Sequence, residues 1–361
     1  MKVYALYLPQ FHETKENNEW WGEGFTEWVN VKKATPLYQG HMQPRQPLND
    51  YYYNLLDKDT VIWQTNLMHE YGVDGLIYYH YYFNGKLILE KPSENLLQWK
   101  DINQPFFFNW ANHTWNRSWK GSKEVLMDQT YGDINDWRKH FDYLLPFFQD
   151  DRYIKIDNKP LFIIYDSSFP EKNEMFKCFN EWCVDAGFAG LYLIEECFTL
   201  ADNQYEKVVA QKSVATEKIY LTEPLIGRSL FNHNKSKVAV FLDKVKYHLN
   251  QKGIIRIIQR YDGDTLLRGV MKHKSSKADR VIPGIFFEWD NTPRHGNKGH
   301  IIEPISQKCF DEYMDYYRNS DFIIINAWNE WCEGMMLEPT KELGHKYLEW
   351  IRDWKKREAN R

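Results

Sequence analysis

The 361-residue chain carries 46 Lys plus Arg against 50 Asp plus Glu, a formal net charge of −4. That balance gives no electrostatic footing for nucleic acid, and no apolar run approaches the roughly 20 residues that span a bilayer. Five cysteines (Cys178, Cys183, Cys197, Cys309, Cys332) without CxxC spacing argue against a disulfide framework or zinc site, and the short apolar N-terminus lacks the features of a signal peptide, so a reduced, cytoplasmic protein is expected.

Short apolar strands alternate with amphipathic stretches from end to end. The first strand, Val3–Leu8, runs into Gln10-Phe11-His12 and a connection to about Asn54 that is too long for scaffolding alone. A helix over Asp59–Tyr71, stopped by Gly72, leads to the strand Gly75–His80 and the run Tyr78-Tyr79-His80-Tyr81-Tyr82. Pro105–Trp110 is the third strand and opens into Ala111-Asn112-His113, after which Asp133 caps a helix over Asp133–Phe148. Leu161–Tyr165 ends at Asp166, and a helix over Glu171–Ala186 precedes Leu191–Glu195 with its glutamates Glu195 and Glu196. The sixth unit is the least regular: Ser213–Thr216 is the candidate strand, Ala201–Ser236 has poor periodicity, and a strand could also lie within Ile254–Tyr261. A helix over Lys237–Gln251, the strand Ile282–Trp289, a helix over Ser306–Arg318, the strand Phe322–Asn326 and a helix over Leu343–Lys356 complete the alternation.

Eight strands alternating with helices predict a single (β/α)8 barrel of the TIM type spanning residues 1–361, with a long first βα loop. A doubly wound open sheet is the alternative, but no GxGxxG follows the first strand. Polar residues gather at the strand ends while strand interiors stay apolar, which is how such barrels place their chemistry. The cationic C-terminus (Arg352, Lys355, Lys356, Arg357, Arg361) reads as a last turn complementing a helix dipole, with a weak membrane-surface contact as the alternative.

The eighth strand delivers the most informative segment, Asn326-Ala327-Trp328-Asn329-Glu330-Trp331-Cys332-Glu333-Gly334. Glu330 and Glu333 could merely begin a helix, where carboxylates suit the dipole. In a helical turn their Cβ atoms would lie about 5–6 Å apart, near the separation of about 5–5.5 Å at which retaining glycosidases hold their two carboxyls. Two glutamates this close should split their pKa values, one protonated and one ionised near neutrality. Glu195 and Glu196, on opposite strand faces, could supply one replacement acid or base, and Asp290 suits either an Asx-turn or a sugar hydroxyl. His12, His80 and His113 could meet at a metal, but without HxH or HxxxH spacing substrate hydrogen bonding is favoured and no metal or cofactor is expected. Cys332 is read as a small buried thiol rather than a nucleophile.

Aromatics make up 17% of the chain, and many, including Trp20, Trp21, Trp28, Trp115, Trp119 and Trp289, sit among polar residues in presumed loops. Flat amphipathic rings of this kind suit the faces of sugars.

Long Trp-rich motifs carry a resemblance. They are Tyr7-Leu-Pro-Gln-Phe-His12, Trp20-Trp21-Gly-x-Gly-Phe-Thr-Glu27-Trp28-x-Asn30, Gln43-Pro-Arg45, Gly75-x-Ile-Tyr-Tyr-His80-Tyr, Trp110-Ala-Asn112, Trp289-Asp290-Asn291-Thr292 and Ala327-Trp-Asn-Glu330-Trp-x-Glu333-Gly334. On these the chain resembles the WbsX family of bacterial polysaccharide (O-antigen type) biosynthesis proteins, related to glycoside hydrolase family 99, over nearly its whole length. The resemblance implies retaining cleavage of α-mannosidic bonds, with Glu330 as the base on the sugar 2-hydroxyl and Glu333 as the acid/base on the glycosidic oxygen. The 2-oxygen would attack C1 internally, which demands an α-manno-configured sugar, mannose or rhamnose. Candidate substrate contacts are His12, Trp21, Glu27, Trp28, His80, Tyr81, Trp110, Asn112, Trp115, Trp289, Asp290, Asn329 and Trp331. The partner would be an oligosaccharide or polysaccharide, free or lipid-linked. Two departures stand out: Cys332 occupies a position where family-99 enzymes commonly carry His, and His113 one where many WbsX relatives are acidic. The competing readings are a glycosyltransferase using an activated donor, for which Asp262-Gly263-Asp264 is the one literal DxD, and a non-catalytic carbohydrate-binding barrel.

Overall fold

Runs such as Phe322-Ile-Ile-Ile and Phe106-Phe-Phe are buried at every residue, as strands covered on both faces must be. The computed structural model describes residues 1–116, 124–200, 206, 216–255 and 257–361. Nine parallel strands form a nearly closed barrel of eight staves: β1 (Lys2–Tyr7), β2 (Gly75–Phe83), β3 (Phe106–Trp110), β4 (Lys159–Ile164), β5 (Tyr192–Cys197), β6 (Thr216–Leu221), β7 (Val281–Ile282), β8 (Gly284–Ile285) and β9 (Phe322–Ile325). Neighbours in the ring pair in parallel, from Tyr4 opposite Gly75 round to Lys2 opposite Phe322.

β7 and β8 are one stave cut at Pro283, the first pairing with β6 and the second with β9. Proline has no N–H to give the ladder, which is why the expected continuous strand Ile282–Trp289 is divided. It also ends early: Trp289–Asp290 leaves the barrel and pairs antiparallel with His300–Glu303, which in turn lies parallel to Gln259–Asp262. The strand sought within Ile254–Tyr261 is this outer one. The true sixth stave begins at Thr216, where the expected Ser213–Thr216 ends; residues 213–215 and Trp119 lie outside the described residues. Its charged start obscured it in the sequence, because Glu217 and Lys218 reach out to pair with Lys159 and Asp321.

The long first connection carries two short helices, Lys15–Trp21, whose cap Thr14 accepts from the Asn17 N–H, and Glu27–Lys33. It is clasped to the far end of the chain: the Asn329 side chain accepts from Leu8 N–H at 2.7 Å and donates to Leu8 O at 3.0 Å. The C-terminal cations are engaged by carboxylates, Lys355 with Asp74, Arg357 with Asp311 and Arg361 with Asp315. The helix Lys237–Gln251 forms where expected, capped by Ser236, yet none of its described side chains is buried. Among the described residues no helix is long and apolar enough to cross a membrane.

Candidate active site

Beyond β9 the chain does not begin a regular α-helix. Asn329–Glu330 pairs back onto Met335–Met336 across a tight turn at Trp331–Glu333, closed by Gly334 in the left-handed region (φ 63°). A side chain at position 334 would also press on Asp290, whose backbone N lies 3.2 Å from the would-be Cβ. The turn aims both glutamates at Arg294, which sits in the four-residue helix Thr292–His295 after Pro293. Arg294 Nη1 lies 2.5 Å from Glu333 Oε1, and Nη2 lies 3.4 Å from Glu330 Oε2 and 3.3 Å from Glu27 Oε2. Three carboxylates thus share one buried guanidinium.

The electrostatics follow from that ratio. Burial pulls the pKa of Arg294 down, but Glu27, Glu330 and Glu333 together hold it well above the usual value. One guanidinium among three carboxylates favours a proton staying on the more buried of Glu330 and Glu333. Burial pushes Glu330 up to about 8, with Arg294 opposing and the Glu333 and Glu27 charges adding to the rise. Near neutral pH the proton therefore rests on Glu330. Glu333 is fixed by Arg294 and by the Trp289 indole N–H at 2.9 Å. Arg228 lies 4.9 Å from the Trp289 ring and backs it as a cation–π partner.

Glu330, Glu333 and Arg294 line a cleft of about 510 Å³ at the C-terminal mouth of the barrel. Its aromatic walls include Trp20, Trp21, Tyr79, Tyr81, Trp115 and Trp289. Trp115 meets Trp20 edge-on at 6.0 Å and Tyr81 at 4.9 Å, one continuous apolar wall facing a floor of carboxylates. Six of the sequence candidates, Trp21, Tyr81, Trp115, Trp289, Glu330 and Glu333, are brought together here, and Glu27 reaches the site through Arg294.

The other candidates support the site from behind. His80 turns away from the cleft to meet His140 Nε2 at 2.8 Å, because alternation along β2 points Tyr79 and Tyr81 inward. Trp110 faces the same outer layer, donating to Tyr82 O and resting on His140. Asn112 locks β3 to β4 through Asp166, and Asp290 is an Asx-type brace for Thr292 that also binds His41 and Gln43. His12 is buried, its pKa pushed down to about 4. Trp28 and Trp331 pack on each other at 5.4 Å, and Asn329 forms the clasp to Leu8. Trp331 donates to Glu338, which also accepts from Trp328, Tyr53 and Gln64.

Neither alternative glutamate lines the cleft. Glu195 faces outward to Thr216 and Lys172, while Glu196 lies inside the barrel between Asn109 and Thr222. Cys332 is buried with its thiol pKa raised, first by burial and then by Glu27, and it donates to Glu27 O. The histidines at the strand ends do not converge, and among the described residues no group of His, Cys, Asp and Glu is arranged to hold a metal ion. Arg294 escaped the sequence reading. The one clue was charge: three glutamates destined for one rim need a cation, and Arg294 stands four residues beyond Asp290.

Comparison with known proteins agrees with this architecture. The chain is similar to the uncharacterized protein WxcX from two strains of Xanthomonas campestris pv. campestris, 30% identical in each case, over 96% of this chain and 48% of the relative. It spans about half the length of those relatives. Among solved structures, the GH99 endo-alpha-mannosidase from Bacteroides thetaiotaomicron superposes with a TM-score of 0.60 at 14% identity, covering 99% of this chain and 97% of that one. A second, described as a glycoside hydrolase-like protein, superposes with a TM-score of 0.58 at 14% identity, covering 98% and 93%. A family model described as Glycosyltransferase WbsX matches residues 3–351, and the chain, a single barrel with a glycoside-hydrolase-like fold, belongs to that family.

Proposed function

We propose that the protein is a retaining α-glycosidase or transglycosidase acting on α-manno-configured linkages, mannose or rhamnose, in bacterial polysaccharide. The observation that carries this reading is the Glu330–Glu333 pair joined by one guanidinium at the floor of an aromatic cleft, with burial pushing Glu330 up to about 8. Glu333 is the more exposed of the two, at 23% of its side chain against 12% for Glu330. It suits the outer role at the leaving oxygen, and Glu330 the inner one at the sugar 2-hydroxyl. A sugar O2–H donating to Glu330 favours its ionised form, moving its proton to Glu333. Glu330 then takes the O2 proton as O2 bonds to C1. The C1–O bond breaks, and Glu333 protonates the departing oxygen. Water or a sugar hydroxyl reverses the exchange: its oxygen bonds to C1 as the C1–O2 bond breaks, its proton goes to Glu333, and Glu330 returns the proton to O2. The solved relative named as an endo-alpha-mannosidase supports the substrate class.

The family description favours a second reading, transfer from an activated sugar donor. Product analysis by NMR with defined α-mannosides and α-rhamnosides, with and without nucleotide sugars, separates the two. Release of an α-anomer without nucleotide is expected; strict dependence on a nucleotide donor would overturn the hydrolytic reading. Glu333→Gln should lose roughly 10²–10⁴ in rate on substrates with poor leaving groups and retain sugar binding. Undiminished turnover on those substrates would remove Glu333 from its role.

A further inference from the structure

Seven of the thirteen large hydrophobic residues exposed among the described residues lie between Phe231 and Ile257. Four belong to the helix Lys237–Gln251: Val238, Phe241, Leu242 and Val245. At 3.6 residues per turn they share one face, in the i, i+3, i+4, i+7 pattern by which a helix ordinarily faces a core. Here that stripe faces solvent, Val238 being 69% and Phe241 65% exposed. The opposite face holds the helix to the protein, through Asp243 bound to Lys235 and Asn250 donating to Asn297 O.

Lysines bracket the stripe. By helical geometry Lys237 and Lys244 fall along one edge and Lys246 along the other, all three exposed. None has an ion-pair partner among the described residues, whereas Arg352, Lys355 and Arg357 of the C-terminal helix are engaged by carboxylates. From Lys235 to Lys252 the described segment carries five lysines against the single acid Asp243. A locally cationic face on a chain of net charge −4 selects an anionic partner. An apolar stripe flanked by lysines on a helix lying flat on the surface is the pattern that seats in the headgroup layer of a bilayer.

We infer that this helix docks the protein on an anionic lipid membrane surface. The segment belongs to the rim of the cleft: the preceding helix starts at Leu225 beside the mouth and brings Arg228 over Trp289, and Asn297 lies three residues beyond Arg294. Docking there would hold the mouth close to the lipid headgroups. The inference does not depend on which reaction the cleft performs, because its readout is lipid binding.

The test is flotation of the full chain with phosphatidylcholine vesicles, alone or carrying roughly one-third phosphatidylglycerol. Binding only to the anionic vesicles is expected, with release at roughly 0.5 M NaCl as the charges are screened. Phe241→Ser with Leu242→Ser, and separately Lys237→Gln with Lys244→Gln and Lys246→Gln, should each weaken binding at least about tenfold. All five side chains are exposed, so circular dichroism should show the fold intact in both variants; should the apolar pair fail to fold, the lysine variant decides alone. Absence of flotation with anionic vesicles, or flotation indifferent to the substitutions, would overturn the inference. So would a dimer in sedimentation velocity that the Phe241 and Leu242 changes dissociate while vesicles bind nothing, since a second copy would then be the occupant.

Discussion

Without Arg294, Glu27, Glu330 and Glu333 would lose the guanidinium they share. Glu330 would then hold its proton more tightly, since Arg294 opposes the rise of its pKa. If the singly protonated pair is the working form, activity should fall as pH rises through about 8, where the proton leaves Glu330. Arg294→Gln should move that falling limb to higher pH and lower kcat by roughly 10²–10³-fold, the loss typical of one preorganised electrostatic donor. A kcat/KM profile against pH measures both effects, and a limb left in place would detach Arg294 from the pair's titration. Arg294→Lys should recover only part of the rate, because an ammonium cannot span three carboxylates as a fork does. The glutamates were legible because a wholly buried strand runs straight into them. Arg294 was not, because the four-residue helix that carries it, with Pro293 in its first turn, is too short to show periodicity.

At the scale of elements, the turn bearing the pair hangs from Glu338. This buried carboxylate accepts from Trp331 at 2.7 Å, Trp328 at 3.0 Å, Tyr53 at 2.7 Å and Gln64 at 2.6 Å. Burial lifts its pKa to about 7 against the pull of the four donors. Glu338→Ala would leave those donors buried and unmatched, a penalty of about 1–3 kcal/mol for each such group. Urea denaturation should therefore show a loss of at least about 3 kcal/mol, and Glu338→Gln a smaller one. An unchanged midpoint for the alanine variant would mean that the turn stands without its anchor. Strand alternation explains what the sequence placed well and what it did not. It separated Glu195 from Glu196, and the same period-two rule applied along β2 would have turned His80 outward and selected Tyr79. The divided stave was equally open to inspection, since Pro283 stands in the middle of an apolar run. The sixth was not, its opening residues Thr216-Glu217-Lys218 reading as surface.

The whole molecule buries several glutamates in protonation-sensitive surroundings. Burial raises Glu196 and Glu338 to about 7 and Glu223 and Glu330 to about 8, while the unfolded chain titrates near 4.3. Buried histidines oppose this at lower pH, since His12 and His300, held near 4, stay neutral where the unfolded chain protonates them below about 6.5. Between roughly pH 6.5 and 8 the glutamates decide, the folded state binds more protons, and stability declines as pH rises. Thermal unfolding between roughly pH 6.5 and 8 should show a falling Tm. Glu223→Gln, which removes the charge from a carboxylate whose Oε2 accepts, among the described residues, from Gly227 N–H, should flatten the decline. A Tm that climbs over this range would contradict it.

The clasp between Leu8 and Asn329 joins residues 321 positions apart in the chain. Closing so long a span is entropically costly and rewarded only once intervening staves are in place. Glu330 adjoins the clasp, and its neighbours Glu27 and Arg294 arrive from the first connection and from beyond β8. Charge balance at the site is thus a late event of folding. During refolding, helical ellipticity should recover before activity does, and a chain that has not closed its barrel should have no partly working site.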